Sequence, residues 1–407
     1  MRVCFVSRRF FPAISGMSIY AINLVRQLIA RDHDVTMVSQ YRGDEFGKGV
    51  YGGGPPPEVP GVKVIGLEQL GEQEANEGTA NFERDIAAII KTIVREHAAK
   101  PFDVLHAQYG YPTGWATLVT GQRLGLPVVV SIQGGDGHWV GSCCETHRQA
   151  MLRVLDHPQA VLIGGESFAR EVNERLGTPI DRFTYVPGAV DTDRFTPGTL
   201  GADDTVRILY HGRVDARKGV LDFIKACARL SGNWRATISG IGPDSEAAKS
   251  LVAERDLEDR VTFTGYAEYA DVPDIYHAHH VFASPTYAEG FSNTILEAMA
   301  SGLAIVSCHA VGVSDCLRDG ENGLLSEPGD IAAQAANLQL LIDDAGERQR
   351  LAATALAECR ATYSWDVVGG MIAEIYRDVA GNGAPPPFDP ELPHDPACRF
   401  LKQPHLL

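Results

Sequence analysis

Two successive series of short apolar runs, each alternating with helix-like segments, constrain the fold of this 407-residue chain more than any other feature. Runs of β-branched and apolar residues separated by amphipathic segments predict parallel strands joined by crossover helices. The segment between the two series, Pro187 to Gly201, is rich in turn-forming residues. The sequence therefore predicts an α/β protein with two parallel-sheet domains and a linker between them.

The pattern also predicts individual elements. In the first series the predicted strands are Val3–Ser7, Val35–Ser39, Val62–Ile65, Val104–His106, Val128–Ile132, Val161–Ile163 and Phe183–Val186. In the second they are Val206–Tyr210, Ala236–Ser239, Val261–Phe263, Val281–Ser284, Ala304–Ser307 and Leu324–Leu325. An amphipathic helix is expected from Tyr20 to Ala30, and a long helix from Trp365 to Val379. We expect a mobile loop over 42–60 and a tail from Gly381 that is extended or loosely attached.

Composition excludes several classes of function. The formal net charge of −16 argues against binding to nucleic acid or to an anionic membrane surface, although solubility alone also explains it. No apolar run approaches the ~20 residues of a membrane helix, and we find no signal peptide, so we expect a cytoplasmic protein without membrane association. The eight cysteines are scattered, with no CxxC pair, which favours free thiols in a reducing compartment.

The segment from Tyr287 to Ala300 is the most informative motif. It follows a predicted strand and places Glu289 in a loop and Glu297 inside a helix that begins near Ser292. A helix start presents unpaired N–H groups and partial positive charge, which suits a phosphate. Glu297 could then reach the hydroxyls of a ribose, and Glu289 those of the group that the phosphate carries. A nucleotide-sugar has this combination of groups.

Two further loops follow strands of the second series. Arg213 and Lys218 come after the strand Val206–Tyr210, where open α/β sheets bind ligands, and their charges suit a diphosphate. Taken alone, such side chains are more often simply solvated. Gly242, in the sequence Ser239-Gly240-Ile241-Gly242-Pro243, either lets the backbone approach a ligand or serves close packing.

The first series offers candidates for the second substrate. Gly16 lies between the first strand and its helix, where its amide either approaches an anion or forms a plain turn. Asp136 and His138 lie in a glycine-rich loop after Val128–Ile132. His138 could bond a sugar hydroxyl, and Asp136 could orient it or contact an acceptor; a surface histidine without a role is the alternative.

Two apparent metal motifs are rejected. Asp191-Thr192-Asp193 resembles an Asp-x-Asp metal site but lies in the turn-rich linker. His277, His279 and His280 have no Cys or acid at ligand spacing, and they suit the end of a helix. We therefore expect no metal and no cofactor other than a nucleotide diphosphate-sugar as co-substrate.

These motifs together resemble those of the retaining GT-B glycosyltransferases of family four. The resemblance covers most of the chain and is carried by Glu289-Gly290-Phe291 through Glu297-Ala298-Met299-Ala300, with Gly212-Arg213 and Lys218-Gly219 upstream. Gly16, Pro187 to Phe195, Gly240 to Pro243, Val261 to Tyr266 and Asn322 to Leu325 extend it. It implies two Rossmann-like domains that face a central cleft, with the last helix crossing back to the N-terminal domain.

The resemblance also implies boundaries and roles. The expected boundaries are 1–190 for the acceptor-binding domain, 191–204 for the linker, 205–362 for the donor-binding domain, 363–380 for the crossover helix and 381–407 for the tail. Arg213 and Lys218 would hold the diphosphate, Glu289 the donor sugar and Glu297 the ribose. Amides near Phe291, Ser292 and Asn293 would touch phosphate or sugar, the stretch at Gly265-Tyr266 would border the base, and His138 would lie near the donor sugar.

The resulting prediction is a metal-independent hexosyltransferase that moves a sugar from a nucleotide diphosphate, UDP first and GDP next, to a small polar acceptor with retention. No assured carboxylate nucleophile is present, so same-face attack is preferred over double displacement. A nucleotide-sugar epimerase or a phosphorylase of the same fold is the alternative, and a non-catalytic nucleotide-sugar sensor is a third class. The sequence leaves the oligomeric state open.

Overall fold

The computed structural model describes residues 1–51, 53–199 and 204–404. Contacts divide the chain into two compact units, one of Met1–Pro187 with Val368–Leu407 and one of Gly188–Val367. Parts of the predicted linker and tail, residues 200–203 and 405–407, lie outside the described residues. No helix in the described part of the chain is long and apolar enough to cross a membrane.

The first unit contains a seven-stranded parallel sheet of order β3-β2-β1-β4-β5-β6-β7. Its strands are β1 (Arg2–Ser7), β2 (Asp34–Tyr41), β3 (Val62–Glu68), β4 (Val104–Gln108), β5 (Val128–Ile132), β6 (Ala160–Ile163) and β7 (Phe183–Tyr185). Every residue of the central strands β1, β4 and β5 is buried, as expected where helices cover both faces of a sheet.

Helices connect these strands. They are α1 (Gly16–Ala30), α2 (Glu45–Tyr51), α3 (Leu70–Gln73), α4 (Phe82–Ala99), α5 (Trp115–Leu124), α6 (Gly135–His138), α7 (Glu145–Asp156) and α8 (Glu166–Leu176). The order of the strands reverses between β1 and β4, so the loops after these two strands diverge at the same edge of the sheet.

The second unit contains a six-stranded parallel sheet of order β10-β9-β8-β11-β12-β13. Its strands are β8 (Val206–His211), β9 (Trp234–Ser239), β10 (Val261–Gly265), β11 (Val281–Ser284), β12 (Ala304–Cys308) and β13 (Leu324–Ser326). Successive residues of β8 enter different cores, with Ile208 and Tyr210 in one and Leu209 in the other. Both faces of this sheet are therefore covered.

Seven helices complete the described fold. They are α9 (Val220–Cys227), α10 (Ser245–Glu254), α11 (Val272–His277), α12 (Asn293–Ala300), α13 (Ile331–Asp343), α14 (Ala345–Thr362) and α15 (Trp365–Val379). Short 3₁₀ or π turns cover Glu74–Asn76, Gly110–Gly114, Ile180–Arg182, Ala216–Lys218 and Arg399–Leu401. From Val368 onward, α15 belongs to the first unit. This agrees with the expectation that the last helix crosses back to the N-terminal domain.

The structure confirms all thirteen predicted strands to within a few residues, and the final helix has the predicted bounds. The helix predicted from Tyr20 begins earlier, at Gly16, because the Ser15 hydroxyl accepts the N–H of Ser18 and caps it.

The structure corrects the expected loop over 42–60 and one of the two alternatives for the tail, loose attachment. The predicted loop over 42–60 contains α2, which forms because the Asp44 carboxylate accepts the N–H of Gly47 and caps its first turn. The C-terminal segment lacks regular structure over most of its length but is not loose, since Cys398 and Phe400 are buried. Its backbone carbonyls also accept hydrogen bonds from side chains of the first unit, at Gly383 and Phe388.

Candidate functional site

The candidate donor site lies at the carboxyl ends of β8 and β11, between which the strand order of the second sheet reverses. Ligands of open α/β sheets bind at such a position. The two loops are joined through their backbones, since Tyr287 N–H donates to the Arg217 carbonyl at 3.1 Å. Gly219 has φ +75°, and a Cβ there would lie 1.9 Å from the Pro285 carbonyl oxygen. Only glycine allows this approach.

An ion pair spans the two loops. Lys218 Nζ lies 2.7 Å from Glu289 Oε2 and 3.4 Å from the Ala288 carbonyl oxygen. The side chains of Lys218 and Glu289 are 34% and 19% exposed, so the pair is partly shielded yet accessible. The backbone of Glu289 is fixed by a hydrogen bond from its N–H to the Val311 carbonyl at 2.9 Å. The structure thus pairs Lys218, predicted to bind the diphosphate, with Glu289, predicted to bind the donor sugar.

Arg213 lies on the same loop as Lys218 and is the more exposed of the two, at 56% of its side chain. Its Nε is 3.4 Å from Asp215 Oδ2, and Arg217 Nη2 contacts the same oxygen at 2.8 Å. The hydrogen bond from Arg217 is the main reason that the pKa of Asp215 lies below its ordinary value. Asp215 therefore anchors the cations of this loop, a role that the motif alone did not indicate.

The helix start beside Glu289 is left without a side-chain cap. Ser292 occupies the N-cap position of α12, as predicted, but its hydroxyl lies 3.3 Å from the Thr294 hydroxyl and caps no backbone N–H. Asn293 is the first residue of the helix and is half-buried. The first N–H groups of α12 are thus available to an anion.

Phe291 has a packing role in this segment. Its ring lies 5.8 Å from that of Tyr363, and its Cδ1 would be only 2.6 Å from a Cβ at Gly188. The side chain therefore fixes the loop that leads into α12, and only its backbone could fulfil the predicted contact with phosphate or sugar.

Glu297 lies one turn into α12 and is 9% exposed. Its Oε2 accepts a hydrogen bond from the Tyr276 hydroxyl at 2.9 Å. Burial raises the pKa of Glu297 to about 7, although the bond from Tyr276 and the charge of Arg194 act in the opposite direction. The carboxyl therefore changes its charge near neutral pH.

Tyr276 was missed by the sequence analysis. Its ring also packs edge-on against that of His211, whose pKa burial lowers to about 4, so this histidine is neutral at pH 7. Tyr276 lies on α11 and Glu297 lies 21 residues later on α12. No spacing in the sequence indicates that this hydroxyl faces that carboxylate.

The glycine pair after β9 serves packing, one of the two interpretations left open above. A Cβ at Gly240 would lie 1.8 Å from the Gly212 carbonyl oxygen, and one at Gly242 would lie 2.1 Å from that of Val214. The glycines therefore bring this loop against the one that carries Arg213. Tyr266, just after β10, is 50% exposed, and its contact with a base stays a prediction.

In the first unit, Asp136 organises its own loop. The carboxylate is completely buried and accepts hydrogen bonds from the N–H groups of Gly110, Gln133 and Gly134 at 2.9, 3.0 and 2.8 Å. Burial raises the pKa of Asp136 to about 6, against the effect of these donors. The carboxylate thus fixes the backbone of the loop that carries His138, and both predicted roles of Asp136, orienting His138 and contacting an acceptor, stay predictions.

His138 is held by an acid that the sequence analysis missed. Its Nδ1 lies 2.9 Å from Glu171 Oε2, and its ring packs 4.7 Å from that of Phe168. Glu171 also pairs with Arg175 four residues later on α8, which made it resemble an ordinary surface residue. Within the described residues Nε2 of His138 has no protein partner, so this nitrogen remains free for a ligand.

Gly16 is exposed at the first position of α1. The loop before it follows β1, next to the reversal in strand order of the first sheet. This is the position at which an amide could meet an anion, and the prediction for Gly16 stays untested.

The rejected metal motifs have other partners. Asp191 Oδ1 accepts the N–H groups of Asp193 and Arg194, forming a turn. His279 contacts the Ile275 carbonyl at 2.6 Å and the Thr237 hydroxyl at 2.8 Å. Three cysteines that the sequence analysis did not connect, Cys143, Cys144 and Cys398, meet at His147, with ligand atoms all within 4.8 Å of one another. This group, in the first unit, could hold a metal ion.

Comparisons with known proteins cover both units. The model of the family "Glycosyl transferases group 1" matches residues 193–357, and that of the "Glycosyl transferase 4-like domain" matches residues 15–189. A D-inositol 3-phosphate glycosyltransferase of Stackebrandtia nassauensis is 27% identical over 401 residues, covering 89% of this chain and 86% of the relative.

Solved structures share the fold. Sucrose-phosphate synthase from Thermosynechococcus elongatus superposes with a TM-score of 0.73 at 21% identity, covering 93% of this chain and 98% of the other. Anabaena HepE, solved in complex with UDP and glucose, gives a TM-score of 0.71 at 17% identity, with coverage of 93% and 100%. The predicted fold class, two Rossmann-like units with parallel sheets, is confirmed.

Proposed function

The chain belongs to the glycosyl transferases group 1, enzymes that use nucleotide-sugar donors, and from this premise we propose its donor, acceptor class and mechanism. The proposed reaction moves a hexose from a UDP-sugar, with GDP-sugars as the second choice, to a hydroxyl of a small polar acceptor. The anomeric configuration of the sugar is retained, and no metal takes part.

The ion pair of Lys218 and Glu289 beside the uncapped start of α12 carries this proposal. Breaking the glycosidic bond leaves growing negative charge on the diphosphate. Lys218, Arg213 and the first N–H groups of α12 offer positive charge at one edge of the sheet, where they would stabilise that leaving group without a metal. When the donor binds, Lys218 turns to phosphate and Glu289 accepts hydrogen bonds from sugar hydroxyls.

The pentose and base are assigned to neighbouring groups. Glu297 lies on the same helix as the proposed phosphate site, one turn further on, where its carboxylate accepts ribose hydroxyls. Tyr266 borders the base. UDP is the first choice because HepE, which shares the fold, is solved with UDP and glucose.

The acceptor is proposed to be small and polar. A relative similar over 89% of the chain is a D-inositol 3-phosphate glycosyltransferase, whose name states an acceptor of this kind. The acceptor hydroxyl attacks the anomeric carbon on the face that the diphosphate leaves, and its proton passes to the departing phosphate oxygen. His138, fixed by Glu171, would contact the donor sugar through its free Nε2.

The first experiment measures binding of UDP-, GDP-, ADP- and TDP-sugars by calorimetry and then the slow hydrolysis of the best binder by chromatography. The proposal expects a UDP-sugar to bind best and to be hydrolysed without added metal and in the presence of EDTA. Transfer to polyols and their phosphates follows, with the product anomer assigned by NMR.

Several results would contradict the proposal. Conversion of a UDP-sugar to another UDP-sugar without an acceptor would indicate an epimerase, and a requirement for inorganic phosphate would indicate a phosphorylase. A glycosyl adduct on Glu289, detected by mass spectrometry, would refute the same-face mechanism but not the transfer.

A further inference from the structure

Three thiols and one imidazole from distant parts of the sequence converge in the first unit. Cys143 and Cys144 immediately precede α7, His147 lies in its first turn, and Cys398 lies 251 residues further along the chain. Their ligand atoms all lie within 4.8 Å of one another. His147 and Cys398 are buried, and Cys143 and Cys144 are half-buried.

The distances within the group fit one tetrahedral ion. His147 Nδ1 lies 3.1 Å from Cys143 Sγ and 3.7 Å from Cys398 Sγ, and the sulfurs of Cys143 and Cys144 are 3.9 Å apart. A tetrahedral zinc ion with Zn–S bonds of about 2.3 Å places its sulfur ligands about 3.8 Å apart. The sulfur of Cys143 lies closer to His147 Nδ1 than it would with both bound to one ion. A bound ion therefore requires a small movement of the Cys143 side chain, which is partly exposed.

The surroundings orient the group as a metal site requires. The N–H of His147 donates to Cys144 Sγ at 3.4 Å, which fixes the position of this sulfur at the start of α7. The imidazole ring is packed among the rings of Tyr111, Phe82 and Phe400, at 4.4, 5.7 and 6.0 Å. The ring therefore has little freedom to turn its Nδ1 away from the sulfurs.

The C-terminal segment is guided to this point by other bonds. Thr146 Oγ1 donates to the Pro393 carbonyl at 2.6 Å and accepts the N–H of Asp395 at 2.9 Å. Asp395 Oδ2 accepts the N–H of Glu145 at 3.1 Å. These contacts place Cys398 against α7 before any ion binds, so the site is preorganised.

We propose that Cys143, Cys144, His147 and Cys398 bind one Zn²⁺ ion in a closed structural site that fastens the C-terminal segment to the start of α7. Three thiolates and one imidazole complete a tetrahedron and leave no position for a substrate, which is typical of structural and not of catalytic zinc. The bound ion offsets the charge of three clustered thiolates and closes a long loop of the chain.

The test uses the full-length protein, purified under reducing conditions and incubated with Zn²⁺ before dialysis. Mass spectrometric metal analysis should then find one zinc per chain. After removal of zinc with a chelator, titration with Co²⁺ should give the visible absorption bands of tetrahedral cobalt. It should also give a thiolate-to-cobalt charge-transfer band with the intensity expected for three sulfur ligands. Excess Zn²⁺ should abolish both.

Variants locate the ion. Cys398→Ala and Cys144→Ser should each lose the tight binding of Zn²⁺ by at least tenfold and weaken the charge-transfer band. The matched control is Cys316→Ala, which removes a buried thiol of the second unit and should bind one zinc like the wild type. Because the cobalt spectrum of the wild type is itself diagnostic, the test does not depend on any variant that fails to fold.

Four results would overturn the proposal. They are a protein without stoichiometric metal after the incubation with Zn²⁺, a disulfide among the three cysteines under reducing conditions, copper or iron in place of zinc, and a cobalt spectrum unchanged in Cys398→Ala. None of these results bears on donor binding, which belongs to the other unit.

Discussion

Lys218 and Glu289 form an ion pair whose two members have different tasks once a donor is bound. In the structure their charges offset each other at 2.7 Å. The growing negative charge of a departing diphosphate would attract Lys218 more strongly than the carboxylate of Glu289 does. Glu289 would then accept hydrogen bonds from sugar hydroxyls instead. A contact made mainly in the transition state affects kcat more than KM.

Lys218→Ala should therefore lower kcat by about 10²–10³-fold, with a smaller effect on KM, because it removes charge stabilisation of the leaving group. Steady-state kinetics with the best UDP-sugar measure both constants. Lys249→Ala is the matched control, since Lys249 pairs with Glu246 on α10 and is more than half exposed. Equal turnover of Lys218→Ala and the control would place the diphosphate elsewhere.

Glu297 should make donor binding depend on pH. Its pKa is raised to about 7 by burial, so its carboxylate form, the better acceptor for ribose hydroxyls, is lost as the pH falls from 8 to 6. We expect the Kd of the UDP-sugar to rise by up to about tenfold over this range in calorimetry. Glu297→Gln should bind weakly at both pH values, and a wild-type Kd independent of pH would contradict the assignment.

The same carboxyl should affect stability in the opposite direction. Because its pKa in the folded protein exceeds its ordinary value of 4.5, its contribution to the free energy of unfolding is fully present below that pH and is lost as the pH rises through about 7. Relative to wild type, Glu297→Gln should therefore be more stable at pH 8 than at pH 5. Urea unfolding at both pH values measures the difference.

At the scale of single residues, sequence reasoning finds groups that act through local patterns and misses those that act across the fold. Lys218 and Glu289 were both assigned from their loops, and the structure brings them together. The buried position of Asp136 and the pairing of His138 with Glu171 depend on which loops and helices become neighbours. No spacing in the sequence carries that information.

At the scale of elements, the candidate donor site depends on the contact of the loops after β8 and β11. Gly219 allows it because its φ is positive and no Cβ meets the Pro285 carbonyl. The strands themselves were predictable because β-branched runs buried on both faces differ clearly from amphipathic helices. Helix α2 was not predictable, because its glycines, Gly47 and Gly49, resemble a loop, whereas a capping carboxylate fixes its start.

Gly219→Ala should lower the free energy of unfolding by more than about 2 kcal/mol and abolish donor binding, because the added carbon forces the two loops apart. Gly320→Ala is the control: Gly320 has a similar φ of +72°, but a Cβ there meets nothing within 4 Å. It should lose only about 1 kcal/mol from the strained backbone. Equal losses in chemical denaturation would show that the contact of the loops contributes nothing.

At the scale of the whole molecule, the order of strands in each sheet follows from short connections and right-handed crossovers, so the two-sheet architecture could be predicted. The course of the last residues could not. Their attachment depends on contacts with residues about 250 positions earlier, such as that between Thr146 and Pro393, and a segment with many prolines carries no periodic pattern that would indicate its partner.

The attachment of the C-terminal segment should stabilise one region of the first unit selectively. Phe400 is fully buried beside His147, and the Leu401 carbonyl accepts the N–H of Ala80, just before α4. Phe400→Ala should cost about 3 kcal/mol in local stability and increase amide hydrogen exchange in α4 and α7. Mass spectrometry of peptic fragments measures this exchange.

Phe388→Ala provides the matched comparison within the same segment. Phe388 is only half-buried, and its ring packs against Trp115 and His157 instead of His147. Its loss should increase exchange at α5 and the end of α7 while leaving α4 protected. If both variants raised exchange everywhere in the unit, the segment would stabilise the fold as a whole, and the local anchoring inferred from these contacts would be wrong.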